Sequence, residues 1–374
     1  MKIAFLTNFI PPYRRSLYQQ ITLKLEQVTF FISTVMEHNR NWEVNHFNLS
    51  IKVQKNYNYN KNWKHKNGFA DKTPVHIPYD TIKQLKKYNP DVVVSAEIGI
   101  RSLLSSTYCK IYNKPLILWL TLSEHTETNK KGIRILLRKY LLKSSAALLC
   151  NGESGKRYVE SLGIKKPVFY APYTSDFKIN EKGKNTFNTV KKILFTGQLT
   201  KRKGVFEMVE ALKKWAYQNP TTKIELIVAG NGLEKNHFNL LNNITNIKVK
   251  LLGTVAYADL EQLYNDVDLY LFPTLSDEWG VVVNEALSKG VPVIGSLYSQ
   301  AVEELIENDK NGWLFYPNQQ DSFVKTLTKA INTNNSKLTE LSENGISTIK
   351  DFTPEKIAAN IVEAIQFVLT QKTN

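Results

Sequence analysis

Three acids stand close together in "SDEWGVVVNEALSKG" (276–290): Asp277 and Glu278 ahead of an apolar run, and Glu285 behind it. A carboxylate accepts two hydrogen bonds in a fixed geometry, which suits the hydroxyls of a sugar or ribose. The run follows the buried-strand pattern "DLYLFPT" after a short loop. Gly280 then opens a helix that "KG" closes at Gly290, just before Pro292. The head of that helix offers the N–H groups of Val281, Val282 and Val283 to an anion, with Glu285 about one turn inside. The residues alone leave open which of Asp277 and Glu278 partners Glu285, and whether all three are solvated surface carboxylates.

Cations stand at a second strand-to-helix junction. In "FTGQLTKRKGVFEMVEAL" (195–212) the strand ends at Gly197 and Gln198, and Arg202 and Lys203 precede Gly204, where a helix begins. Glycines let backbone approach a ligand closely, and two cations beside a helix N-terminus make a diphosphate site. The first strand likewise leads into "TNFIPPYRRSLYQQI" (7–21), which puts Arg14 and Arg15 at a helix start. A solvated basic turn is the plainer reading of either string. The Gly-Lys of "CNGESGKRY" (150–158) is not a phosphate loop, because Cys150 stands where that loop needs Gly and Arg157 where it needs Ser or Thr. No His, Cys or carboxylate group has metal-ligand spacing, and there is no Gly-x-Ser-x-Gly elbow.

The elements that must position these loops alternate between short apolar, β-rich runs and helical patterns, which indicates α/β architecture with largely parallel sheets. The strand candidates are 2–7, 28–33, 91–96, 116–120 and 146–150 in the first half, and 192–197, 224–230, 248–253, 268–273 and 291–295 in the second. Near-continuous apolar strands of this kind are buried on both faces of a sheet. The expected domains are 1–178 and 190–352, joined by the polar, aperiodic stretch 180–192 read as a linker. A helix at 353–370, capped by Thr353 with Pro354 at its first position, is expected to pack back on the first domain. Two doubly wound domains facing across a cleft would bind ligands at the carboxyl ends of their strands.

The chain has 374 residues and a net charge of +15. Residues 1–180 hold 28 Lys and Arg against 12 Asp and Glu, while residues 181–374 hold 21 against 22, so the positive field belongs to the first half. That suits an anionic partner such as a membrane surface. The helical pattern 129–146 sets Lys130, Lys131, Arg134, Arg138 and Lys139 among Ile, Leu and Tyr, as in a helix lying at an anionic interface. The stretch 55–66 adds Tyr57, Tyr59 and Trp63 among lysines. No apolar run approaches the roughly 18–20 residues that span a bilayer, the N-terminus reads as a strand rather than a signal peptide, and Cys109 and Cys150 read as buried thiols. The expected location is cytoplasmic or peripheral on the inner leaflet.

In this order, "ILFTGQLTKRKG", "LIVAGNG", "VKLLGTV", "LEQLYNDVDLYLFPTLSDEWGVVVNEALSKGVPVIGS" and "ELIENDKNGWLF" resemble the family-4 retaining glycosyltransferases (glycosyl transferases group 1) of the GT-B fold. The first half resembles them more loosely, through "PPYR", "LILW" and "YVESLGI". The resemblance implies a nucleotide-diphosphate sugar, UDP-sugar favoured, held by the second domain. It implies a lipid-linked or glycan acceptor held by the first, and a role in polysaccharide or glycolipid biosynthesis. That family's two-glutamate motif has seven residues between its acids, and seven intervening residues count back from Glu285 to Asp277. Asp277 would contact the transferred sugar, Glu285 the ribose, and Lys203 with Arg202 the diphosphate, beside Gly197, Gln198, Gly230 and the Gly280–Val283 helix head. Gln198 replaces an Arg that many members carry, and "PPYRR" replaces a glycine-rich first loop. Glu124 and His125 in "TLSEHTETN" (121–129) are further catalytic candidates, since many members place a His in that loop. No cofactor is expected, the nucleotide-sugar being a substrate. The alternatives are a GT-B nucleotide-sugar epimerase and a non-catalytic, basic membrane- or nucleic-acid-binding protein.

Overall fold

A computed structural model describes residues 1–37, 48–65, 68–128 and 132–373. It divides into two compact units. One is formed by residues 1–176 together with the C-terminal segment from Thr353, the other by Phe177–Phe352.

The first unit is built on β1 (Lys2–Thr7), β2 (Gln27–Ile32), β3 (Ile51–Val53), β4 (Asn56–Lys64), β5 (Ala70–Pro78), β6 (Val92–Ala96), β7 (Leu116–Leu120), β8 (Ala147–Cys150) and β9 (Val168–Tyr170). Seven of these form a parallel sheet in the order β3-β2-β1-β6-β7-β8-β9. Its central strands are buried along their whole length, as their unbroken Val, Leu and Ile content demands. The C-terminal helix Pro354–Thr373 completes this core. Ile357, Ala358, Ile361, Val362, Ile365 and Val368 recur at helical spacing and join Leu17, Tyr18 and Ile21 of the helix Arg15–Lys24. Each buried Ile or Val of this kind contributes roughly 1.5–3 kcal/mol. Asn360 Nδ2 also donates to the Tyr170 carbonyl at 3.0 Å, tying the helix to β9.

β4 and β5 pair with each other as an antiparallel ribbon. The lysine- and tyrosine-rich stretch offered as an interfacial candidate is a strand of this ribbon. Its Tyr57 and Tyr59 alternate with Asn on one exposed face, and no buried face imposes an apolar period for a sequence reading to detect.

The second unit holds β10 (Lys191–Thr196), β11 (Ile224–Ala229), β12 (Ile247–Gly253), β13 (Leu269–Phe272), β14 (Val293–Ser296) and β15 (Gly312–Phe315), all parallel, in the order β12-β11-β10-β13-β14-β15. Residues 180–190 are not a free linker. The backbone N–H of Lys184 donates to Ser342 Oγ at 2.6 Å and its Nζ to the Asn265 carbonyl at 2.8 Å. Asn188 donates to Asp268 from both backbone and side chain, at 2.9 and 3.1 Å. Phe187 also packs against the hydrophobic core of this unit, but a segment held mainly by hydrogen bonds and one aromatic carries no hydrophobic period.

Among the described residues, no helix is long and apolar enough to cross a membrane. Cys109 and Cys150 are both free and buried. Burial pushes each thiol up to about 12. The folded state therefore holds these protons more tightly than the unfolded chain. Their contribution is fully present below the ordinary thiol pKa of about 8.5 and is lost as pH rises through the folded value. Native protein should leave both thiols unlabelled by a thiol reagent at pH 8, with two labelled in denaturant. Unfolding titrations should show stability falling as pH rises above about 9.

Candidate active site

The head of the helix Val281–Ser288 is set by the turn before it. Gly280 adopts φ +106°, and a Cβ there would lie 2.6 Å from the Phe272 ring and 2.8 Å from Ser299 Oγ. Only glycine fits a backbone that is both left-handed and this closely packed. Asp277, just before that turn, is fixed by its own N–H, which donates to the Tyr298 carbonyl at 3.0 Å.

The basic turn arrives from the carboxyl end of β10. Residues Lys201–Lys203 form one 3-10 turn that closes at Gly204, φ +70°. A Cβ at Gly204 would stand 2.0 Å from the Pro273 carbonyl oxygen, so the turn is pressed against the end of β13. Backbone bonds hold it there. Leu275 N–H and Thr274 Oγ1 donate to the Arg202 carbonyl at 2.8 and 3.1 Å.

The side chains then converge. Lys203 Nζ donates to Asp277 Oδ2. Arg202 Nη1 donates to the Ser276 carbonyl at 3.2 Å and lies 3.7 Å from the same carboxylate oxygen. Lys203 also stands 5.5 Å over the Phe272 ring. Two cations share one carboxylate in a pocket that leaves Asp277 16% exposed. Both cations stand near the electropositive head of the Val281–Ser288 helix.

The helix head differs from expectation in one respect. Val283 N–H donates to the Gly280 carbonyl at 3.0 Å, so it closes the first turn rather than facing a ligand. Val281 and Val282, half-buried, lead the helix. Glu278 is exposed, and its carbonyl accepts from Gln300 Nε2 at 2.9 Å.

Glu285 sits one turn further in and is 2% exposed. Its Oε2 accepts from Tyr264 Oη at 2.9 Å, and Tyr264 and Tyr270 both meet Thr196 Oγ1, at 3.0 and 2.9 Å. Burial, followed by Tyr270 and Glu285, pushes the Tyr264 phenol well above its usual range, so it stays a donor. Thr196, Tyr264 and Tyr270 were not singled out from sequence. The available signal was slight: Thr196 ends the apolar run "KILFT", Tyr270 stands inside "DLYLF", and Tyr264 lies in the helix Tyr257–Asn265 ahead of it. At the strand ends nearby, Gly197 N–H donates to the Ala229 carbonyl at 3.0 Å and Gly230 N–H to the Gly253 carbonyl at 2.7 Å. Gln198 is half-buried in the loop between Gly197 and the basic turn.

The remaining candidates lie in the first unit. Glu124 and His125 share the short helix Glu124–Glu127. Glu124 Oε2 is paired with Arg157 at 2.7 Å, and the His125 ring stands 5.8 Å from that of His65. Two expected surface cations are not at the surface. Arg14 is only 4% exposed, with its guanidinium between Trp119 and Tyr173. Arg138 pairs at 2.6 Å with the buried Glu127, which also accepts from Tyr158 Oη at 3.2 Å. Burying this pair costs desolvation, and removing either partner would leave an uncompensated buried charge. Arg15 lies 4.0 Å from Asp176, and Arg134 is exposed. Lys130 and Lys131 lie outside the described residues. Trp63 lies on β4, with its side chain outside the described set. Among the described residues, no three His, Cys, Asp or Glu side chains are placed to hold a metal ion.

Two Rossmann-like α/β units, the second with a basic turn and an acid at a helix head, have the GT-B fold. The chain belongs to the glycosyl transferases group 1 family, whose family model matches residues 155–348. It is 31% identical over 136 residues to an uncharacterized glycosyltransferase of Methanocaldococcus jannaschii, covering 36% of this chain and 34% of that one. It is 26% identical over 215 residues to the alpha-monoglucosyldiacylglycerol synthase of Acholeplasma laidlawii, covering 56% and 52%. The chain thus spans about a third to a half of the length of these two relatives. In structure it resembles the Anabaena protein HepE in complex with UDP, with a TM-score of 0.71, 17% identity, and coverage of 98% of this chain and 100% of that one.

Replacing Tyr264 with Phe removes the donor to a buried carboxylate, which costs about 1–3 kcal/mol. Urea unfolding should register a loss of that size for Tyr264→Phe. A midpoint unchanged from wild type would show that Glu285 does not depend on it.

Proposed function

We propose that the chain is a retaining, family-4 hexosyltransferase. It would move a sugar from a nucleotide-diphosphate sugar, a UDP-sugar by preference, to a lipid-linked or glycan acceptor in the synthesis of a surface polysaccharide or glycolipid. The observation that carries this reading is the meeting of Lys203, Arg202 and Asp277 beside the head of the Val281–Ser288 helix. The preference for UDP is supported by the HepE complex, and a lipid acceptor by the diacylglycerol-glycosylating relative.

In this mechanism the leaving diphosphate takes over the two cations that now share the Asp277 carboxylate. Lys203 and Arg202, with the N–H groups of Val281 and Val282, then face the charge that builds on the departing phosphate. A well-placed donor of this kind lowers a barrier by roughly 3–4 kcal/mol. The freed Asp277 carboxylate turns to the sugar, whose reacting carbon passes through an oxocarbenium-like state. Glu285, held by Tyr264, accepts from the ribose hydroxyls. His125 and Glu124 would act on the acceptor side.

Membrane docking by the first unit is part of the same proposal. The helix Ile133–Ser144 exposes Ile133 (82%), Leu136 (67%) and Tyr140 (42%) on one face, with Arg134 and Lys143 exposed beside them. An apolar stripe flanked by cations suits an anionic leaflet.

A thermal-shift series with UDP-, GDP- and ADP-sugars should give stabilisation by the UDP-sugar that Lys203→Ala abolishes. No response to any nucleotide sugar would overturn the donor assignment. In a transfer assay Asp277→Ala should lower kcat by about a hundredfold or more, and the product should keep the donor's anomeric configuration by NMR. An inverted product would exclude retention. In flotation, the wild type should bind vesicles containing phosphatidylglycerol at low salt, and Ile133→Ser/Leu136→Ser should not. A wild type that ignores such vesicles would remove the membrane from the proposal.

A further inference from the structure

Among the described residues, the buried Arg14 cation meets no anion. Its guanidinium carbon lies 4.7 Å from the Trp119 ring centroid and 3.9 Å from that of Tyr173, so two aromatic rings pack against the group. On one edge, Nη1 donates to Tyr18 Oη at 3.3 Å. Nε and Nη2 have no hydrogen-bond partner among the described residues. The ionisable groups that face the guanidinium are Tyr13, Tyr18 and Tyr173, none of them a carboxylate.

The geometry is specific. Nε–H and the adjacent Nη2–H form one parallel pair of donors, the side-on edge of the guanidinium fork that grips two oxygens of a carboxylate or phosphate. The rings hold the plane of the fork, Tyr18 holds its far edge, and the near edge is left over. An uncompensated buried charge is costly, and so are buried donors without acceptors.

Its place in the fold agrees. The turn Pro12–Arg14 follows the carboxyl end of β1, Trp119 is the penultimate residue of β7, and Tyr173 follows β9. This is the edge of a parallel α/β sheet where ligands bind. Along the same edge, directly after β8 and β9, the buried Asn151 and Thr174 also leave side-chain atoms unpartnered: Nδ2, Oδ1 and Oγ1.

We infer that Arg14 is the anchor of an oxyanion subsite in the first unit, which takes a phosphate group edge-on through Nε and Nη2, with Asn151 and Thr174 as neighbouring polar contacts. A phosphate could come from the acceptor, as in a phosphate-bearing lipid or sugar, or from the nucleotide donor. The assignment to the acceptor rests on the proposed function, whereas the subsite itself stands on the Arg14 geometry.

The test uses the full chain carrying Arg202→Ala and Lys203→Ala, which removes the cation pair of the second unit. Calorimetric titrations with inorganic phosphate, dodecyl phosphate and UDP are compared with and without Arg14→Lys, which keeps the charge and loses the fork. Phosphate and dodecyl phosphate should bind about tenfold more weakly or worse with Lys at position 14. Phosphate and UDP weakened with dodecyl phosphate unchanged would keep the subsite and assign its phosphate to the donor. Equal phosphate affinity with Arg and Lys would overturn the subsite. Should the Lys variant fail to fold, hydrogen exchange on the unmodified chain decides. Residues 9–20 should gain protection in phosphate over chloride at equal ionic strength, and equal exchange in both would also overturn it.

Discussion

The bond from Lys203 to Asp277 joins two loops that come from opposite sides of the second sheet's centre. The basic turn reaches the acid because Gly204 lets it lie against the Pro273 carbonyl, and because the Arg202 carbonyl is gripped by Leu275 and Thr274. The acid is held because its backbone bonds to Tyr298 and because Gly280 folds under the Phe272 ring. Any loosening of these approaches would separate the charges. In water such a pair is worth little, but in a partly buried pocket the attraction is stronger and each charge left alone is costly.

Glu285 answers to a different constraint. A carboxylate at 2% exposure persists only where donors reach it. Tyr264 and Tyr270, bridged by Thr196 at the end of β10, tie this acid to the sheet rather than to the loop. The two acids of one short stretch are therefore positioned by unrelated means, Asp277 by charge and Glu285 by a buried hydroxyl network. A substitution at one need not disturb the other.

In the first unit, charge counted along the chain misstates charge at the surface. Arg14, Arg101 and Arg138 are all largely buried: one between aromatic rings, one bonded to Asn8 and Ser33 with Glu97 3.7 Å away, and one paired with Glu127. The cations that face solvent on the helix Ile133–Ser144 are fewer than its sequence suggests, and the apolar residues between them are more exposed. The amphipathic reading survives with a different division of labour among its residues.

Apolar periodicity located the central strands, since burial on both faces leaves an unbroken signal, and Gly and Pro marked the turns that end the Val281–Ser288 helix. The spacing of Asp277 and Glu285, and the basic string ahead of Gly204, were likewise legible, because chemistry at a strand-to-helix junction is local in the chain. What the chain could not show were contacts between distant segments: Lys203 with Asp277, Tyr264 with Glu285, Asn188 with Asp268, and Arg14 with Trp119 and Tyr173. It also hid the β4–β5 ribbon and the staples on residues 180–190, which carry no hydrophobic period. Local sequence determines which residues can bury and where backbone can turn. Only tertiary structure decides whether a charged side chain ends in water or against a partner, because that depends on which distant group closes over it.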